Sequence, residues 1–362
     1  MTKNKKSNKD KAKGADVTRP STTTAATATA ANTHTTSSKK KEAANTSSVN
    51  TNKTNRPKNI PNPLQIAQTK FLKNIPTKTR QNFFSNKHTD PSTRAEIWSN
   101  QADLGEELVN KHAWATPDDR CMKILQHFGS KSGIIEIGCG SNAYWARMMS
   151  GHGIDVMAYD SCLGEGGQIT DGEKAGNSKD KKNMSKKKRK RGQDLNSKIF
   201  DDGFEIHSGD PKALKLKNMK KRVLFLCYPD EDVMVEEGSG SDDTAQSMGA
   251  ACLEHYKGNT VIHVGELYGD TPSMDQAPWG RSSGPEFQQR LASEYHCILR
   301  ATLNNWLHVN DTISVWKRTE LCSIVFQGEG DDESDDEVEY RHIPDDQRLP
   351  TDVAAPCAKH LL

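Results

Sequence analysis

Residues 134–160 read IIEIGCGSNAYWARMMSGHGIDVMAYD, and this stretch decides the fold. The apolar run Ile134–Ile137 has the length of a strand covered on both faces. Gly138-Cys139-Gly140 lets the backbone turn sharply and lets a ligand lie close to it. Ala143–Met149 has helical spacing, and Gly151 and Gly153 end that helix. Ile154–Ala158 reads as the next strand, with Asp160 at its carboxyl end. Ligands of open α/β sheets bind at that edge, and an acid roughly 20 residues past the glycines is placed to take ribose hydroxyls. The stretch therefore predicts a cofactor that contains adenosine.

Gly138, Gly140 and Ala143 also satisfy the loose dinucleotide pattern G-x-G-x-x-G/A, which keeps an NAD-type cofactor open. Other details point to S-adenosylmethionine. Glu136 precedes the first glycine by two residues, and the resulting E-I-G-C-G resembles the first motif of class I methyltransferases. Strand candidate Gly203–His207 leads into Gly209-Asp210, similar to the family's G-D after its third strand. A strand at Val223–Leu226, a strand at Thr260–Val264, a helix at Pro285–Tyr295 and strands at His296–Thr302 and Thr312–Lys317 follow in the family's order. The resemblance spans residues 112–318. It implies a Rossmann-like, doubly wound, mostly parallel α/β sheet with a C-terminal hairpin that adds one antiparallel strand. It also implies S-adenosylmethionine as cofactor and an unspecified methyl acceptor. Residue by residue, Gly138 and Gly140 would form the cofactor loop. Asp160 would hold the ribose, Asp210 would lie near the adenine amino group, and Glu136 would face the cofactor's amino group. Asn142 stands where the family commonly has a third glycine. Cys227-Tyr228-Pro229-Asp230 departs from the D/N-P-P-Y/F of some amino-group methyltransferases, so that segment alone does not license a nucleic-acid base as acceptor.

Methyl transfer from a sulfonium needs positioning and a dry site more than it needs covalent help. Aromatic faces can stabilise the cation, which makes Tyr144, Trp145 and Tyr228 candidates, with Trp145 read as helix packing. A nucleophile that loses a proton needs a base. Asp230 and Glu266 follow the two central strands, and Tyr228 and Asp230 are the catalytic candidates. Trp279 and Arg281 lie in a loop, 268–284, on the substrate side.

Outward from the motif, polarity dominates. The chain has 362 residues, one third of them hydrophobic, with a mean hydropathy of −0.82. Its net charge of +2 hides basic and acidic blocks that cancel. No apolar run is long enough to span a bilayer, and the N-terminus MTKNKKSNKDKAKG lacks the apolar region of a signal peptide. The eight cysteines form no C-x-x-C pair, and Cys121, Cys252 and Cys297 read as small core hydrophobes rather than metal ligands. A reducing location, nuclear or cytoplasmic, is expected.

Residues 1–60 read as a disordered basic tail, and 61–115 as a helical extension beginning at Leu64, Ala67 and Phe71. Residues 116–320 read as the methyltransferase-like domain, opened by a helix capped at Thr116 with Pro117 in its first turn. It is interrupted by a basic insertion, 164–197, and by an acidic loop at Glu236–Thr244. Residues 321–362 read as an acidic tail without fixed structure. In the insertion, Lys186–Arg191 has the composition of a nuclear import signal or a nucleic-acid contact. Two alternatives stand beside the enzyme: a methyltransferase-like scaffold or nucleic-acid-associated binding protein, and an NAD-dependent oxidoreductase. The oxidoreductase needs a second mononucleotide half, for which the final hairpin leaves no room.

Overall fold

The computed structural model describes residues 61–163, 197–230, 247–326, 336–349 and 353–362. The basic tail 1–60, nearly all of the insertion with Lys186–Arg191, the acidic loop Glu236–Thr244 and the acids between Glu329 and Asp335 lie outside the described residues.

An eight-stranded sheet carries the molecule. Its spatial order is β3 (Ser197–Ile199), β4 (Glu205–Ser208), β2 (Val156–Asp160), β1 (Ile134–Ile137), β5 (Val223–Cys227), β6 (Thr260–Gly265), β8 (Thr312–Arg318) and β7 (Tyr295–Thr302). From β4 to β6 every neighbouring pair is parallel. β8 runs antiparallel between β6 and β7, which is the hairpin arrangement expected from 296–317. The short β3 pairs antiparallel with β4 at the far edge, where the sequence reading had only the end of the insertion. The fold is Rossmann-like α/β.

Successive apolar residues of the central strands serve opposite faces, as a period of two requires. Ile134, Val223 and Phe225 enter one core, which also holds Trp145 and Met149 of α5 (Tyr144–Gly151). Ile135, Ile137, Leu224 and Leu226 enter the other, with Cys252 and Leu253 of α6 (Met248–His255) and Phe287 and Leu291 of α7 (Pro285–Glu294). Both faces are covered, which is why these strands read as unbroken apolar runs.

The chain runs outward from β1 to β2 and β4, then returns to pair β5 on the other side of β1. That reversal opens a crevice outside the carboxyl ends of β1 and β5, the place where open α/β sheets take ligands. Gly138 and Tyr228 stand at those two strand ends.

The extension before the sheet is helical, as expected: α1 (Pro63–Lys73), α2 (Thr77–Gln81) and α3 (Pro91–Lys111). Leu64 and Leu108 are buried in the α5-side core, and the Gln68 amide donates to the Asn304 carbonyl at 2.7 Å. The next helix, α4 (Asp119–Gly129), begins two residues later than read from sequence. The Asp118 carboxylate, not the Thr116 hydroxyl, accepts the Cys121 N–H at 2.8 Å. A carboxylate is the stronger cap because its charge also complements the helix dipole.

The reading of 321–362 as a structureless tail needs correction. β9 (Glu320–Phe326) and β10 (Asp336–His342) form a two-stranded antiparallel ribbon. Beyond it, Ala354, Ala355 and Ala358 are fully buried. The Arg300 N–H donates to Val353 O at 2.8 Å and the Ala355 N–H to Ile298 O at 2.7 Å, so this segment lies along β7. The acids that dominate the composition are concentrated before Glu339; the alanines after them are small enough to pack against a strand.

Candidate active site

The crevice at β1 and β5 encloses about 470 Å³. One side of it is built almost wholly from the decisive stretch. Gly138 (φ +75°) and Gly140 (φ +71°) hold left-handed backbone at the turn from β1 to α5. Both Gly138 and Cys139 donate their N–H groups to Tyr159 O, at 2.9 and 3.2 Å. Asp160 closes the loop: its two carboxylate oxygens accept the Gly140 N–H at 2.7 Å and the Cys162 N–H at 2.9 Å. The residue with a side chain that takes left-handed geometry is not Asn142 but its neighbour Ala143, at φ +46°. The Asn142 side-chain oxygen accepts the Tyr144 N–H at 3.2 Å, just before α5.

Glu136 is the electrostatic centre of the cleft. Its side chain is buried, and its Oε2 has no hydrogen-bond partner among the described residues. Burial, and then the charge of Asp160, push its carboxyl up to about 8. A carboxyl kept from water next to a second carboxylate resists ionising until a donor or a cation arrives. The glycine turn, the Asp160 carboxylate and this orphaned oxygen together fit a ligand that brings hydroxyl or ammonium donors.

The other side of the cleft gathers residues distant in sequence. Tyr228 follows β5 with φ +52°, a costly conformation for a bulky side chain. Its hydroxyl donates to Asp311 Oδ1 at 2.7 Å, and its N–H to Val264 O at 3.1 Å. The ring stacks on Trp114, with centroids 5.9 Å apart and planes 13° apart. The Arg281 guanidinium lies 5.0 Å from the Trp114 ring centre and 5.7 Å from that of Tyr228. Burial and Asp311 both raise the Tyr228 phenol, while burial pushes Asp311 up to about 7. Strained backbone held by so many contacts is typical of ligand sites.

Asp230 lines the same cleft, but its oxygens are occupied. It accepts from the Ser247 hydroxyl and from the Gly249 and Gly284 N–H groups, each at 2.9 Å. It therefore fastens the start of α6 to the loop before α7, with two donors on Oδ2 and one on Oδ1. Asp210 does not line the cleft. Its carboxylate caps the turn after β4, accepting the Lys212 N–H at 2.8 Å, and its side chain is half exposed. Tyr144 uses its hydroxyl to hold Asn62 (2.8 Å), and Trp145 packs on Phe225 at 5.3 Å, the packing role expected for it. Trp279 lies against Tyr268, with ring centroids 5.3 Å apart. Sequence reasoning missed Trp114 and Asp311. Trp114 precedes the first strand by 20 positions, and Asp311 sits between the last two strands as an ordinary loop acid, so neither carried a local signal.

Among the described residues, no cluster of three or more His, Cys, Asp or Glu side chains is arranged to hold a metal ion. No helix there is long and apolar enough to cross a membrane. Cys121, Cys139, Cys162, Cys252, Cys297, Cys322 and Cys357 are free thiols.

No family model matches the sequence, and no curated protein matches it. Among solved structures, the chain is similar to the N-methyltransferase NodS from Bradyrhizobium japonicum WM9. Identity is 11% and the TM-score 0.30, over 54% of this chain and 93% of that one. It is similar to TehB from Haemophilus influenzae, at 11% identity and a TM-score of 0.31, over 59% of this chain and 66% of that one. It is also similar to human N-acetylserotonin methyltransferase in complex with SAM. There identity is 10% and the TM-score 0.30, over 70% of this chain and 65% of that one.

Proposed function

We propose that this chain is an S-adenosylmethionine-dependent methyltransferase. The observation that carries the reading is the convergence of the Gly138–Gly140 turn, the Asp160 carboxylate and the unpartnered Glu136 Oε2 at the point where the strand order reverses. In this reading Asp160 takes the ribose hydroxyls. Glu136 takes the amino group, and Gly138 and Gly140 let the ligand approach the backbone. Asp210 is withdrawn from the adenine side, because it does not reach the cleft. Bound there, the cofactor would supply an electrophilic methyl group on a sulfonium sulfur.

The chain's own residues do the rest. Trp114 and Tyr228 present aromatic faces at the acceptor side and exclude water. Tyr228 orients the acceptor, and Asp311 behind it can hold a proton near neutral pH, since its carboxyl is raised to about 7. Asp230 positions α6 and α7 around them. The arrangement of β8 and β7 favours a methyltransferase over an NAD enzyme, because an antiparallel hairpin stands where a second nucleotide-binding half would continue the parallel sheet. The import and nucleic-acid roles of Lys186–Arg191 remain part of the proposal, on composition alone.

Calorimetric titration with S-adenosylmethionine, its demethylated product and NAD tests the reading. Saturable binding of the first two is expected. Tighter binding of NAD than of either overturns it.

A further inference from the structure

Two more cavities lie in succession beyond the cleft, on the far side of the Trp114–Arg281 stack. The first, of about 360 Å³, shares Val109, Asn110 and Trp114 with the cleft. The second, of about 260 Å³, shares Trp98, Arg281 and His308 with the first. Helix α3 and the loop 268–284 supply most of their walls.

The outer cavity has an unusual lining. Three buried polar atoms without a hydrogen-bond partner belong to residues on its wall: Glu266 Oε2, Thr271 Oγ1 and Arg281 Nε. Glu266 is 2% exposed, and its other oxygen is already taken by the Asn310 N–H at 3.1 Å. Buried polar groups are almost always paired, so three on one cavity mark a place where a ligand completes them. One is an acceptor, one a donor, and one a hydroxyl that serves as either.

Aromatic faces flank these atoms. Trp98 and His308 lie with ring centroids 4.2 Å apart. Gln101 locks the pair: its amide contacts the His308 ring, and its oxygen accepts the Leu307 N–H at 3.1 Å. Burial holds His308 down to about 4, so the ring is neutral. Trp98 and Phe84 are 42% and 53% exposed, leaving ring surface open at the rim. Charge narrows the occupant. Glu266 and Asp275 on the wall disfavour an anion, and Arg281 disfavours a simple cation. A neutral flat ring that carries a donor and an acceptor on one edge satisfies Glu266, Arg281 and Thr271 and stacks on the aromatics. That is the chemistry of a nucleobase.

We propose that the cavity between Trp98, Glu266, Thr271 and Arg281 binds a nucleobase of the methyl acceptor, which makes the acceptor a nucleoside or a single-stranded nucleic acid. The inference rests on the methyltransferase reading for its purpose, but not for its test.

The full chain is titrated with the four ribonucleosides and with short single-stranded RNA, following tryptophan fluorescence, and separately with S-adenosylmethionine. At least one base-containing ligand should saturate. Trp98→Ala, at a half-exposed position, should weaken that ligand about tenfold or more through lost stacking. Thr271→Val, of nearly equal shape, should weaken it less, and both variants should bind S-adenosylmethionine unchanged. RNA binding that far exceeds nucleoside binding and falls steeply with salt identifies a polymer; equal, salt-insensitive binding identifies a free nucleoside. No saturation by any base, or binding indifferent to both substitutions, overturns the inference, while intact S-adenosylmethionine binding leaves the methyltransferase reading standing. Base binding without S-adenosylmethionine binding does the reverse.

Discussion

The two halves of the cleft are encoded in different ways. The glycine-turn half lies within 27 consecutive residues, 134–160, where strand, turn, helix and acid follow one another. The opposite half is assembled from Trp114, Tyr228, Arg281 and Asp311, which no local pattern links. A contiguous site is set by backbone geometry, so its signature is spacing. A dispersed site is set by tertiary packing, so its signature exists only after folding.

The comparison breaks first at Asp230. If this residue is the clamp between α6 and α7, Asp230→Ala strands three buried donors and should cost about 3–5 kcal/mol of stability. Urea denaturation measures it. A stable variant that had lost only catalysis would return Asp230 to the chemistry.

Glu136 tests the glycine-turn half through pH. Its carboxyl is raised from 4.5 to about 8 in the folded chain, so the folded state holds a proton that the unfolded state has released. Its contribution is therefore fully present below pH 4.5 and is lost as pH rises through 8, by on the order of 5 kcal/mol. Glu136→Gln should flatten that limb of the stability profile. A cationic or donor-bearing ligand in the cleft should also expel the proton near pH 7. Calorimetry in buffers of different ionisation enthalpy would detect the release, and the variant should not show it. His263 acts in the opposite sense: buried and held down to about 3, it removes stability as pH falls from 6.5.

Asp160→Ala should weaken S-adenosylmethionine by about 1–3 kcal/mol, since it removes a charged acceptor for hydroxyls and loosens the Gly140 N–H. An unchanged dissociation constant in the folded variant would move the ribose elsewhere.

The smallest effect is expected at Ala143. A buried alanine at φ +46° carries left-handed strain that glycine does not, so Ala143→Gly should be neutral or stabilise by up to about 1 kcal/mol. The midpoint of thermal unfolding reads it. A clear loss would mean that the methyl group's packing outweighs the strain.

Legibility followed the same division. Ile134–Ile137, the glycine turn and the final hairpin could be read because each is an apolar run bounded by turn residues. β2 began two residues later than expected and ended on Asp160 itself, an ordinary slip where no breaker marks the start. A Gly-Asp pair fixes a turn but not the direction its carboxylate faces, and in the fold Asp210 accepts the Lys212 N–H after β4. Asp230 was legible as an acid at a strand end, yet its partners Ser247, Gly249 and Gly284 are 17 to 54 positions away. Composition misled at 353–358, where three alanines outweigh the acids before them once β7 offers a surface.

That last segment has a consequence of its own. β7 is the outer strand of the sheet, and an uncovered strand edge recruits other strands. Residues 353–355 occupy part of that edge with main-chain hydrogen bonds, and Ala354 and Ala355 bury their methyl groups against it. A protein shortened before Val353 would keep its cleft but present a sticky margin, and its first symptom would be self-association rather than a lost activity.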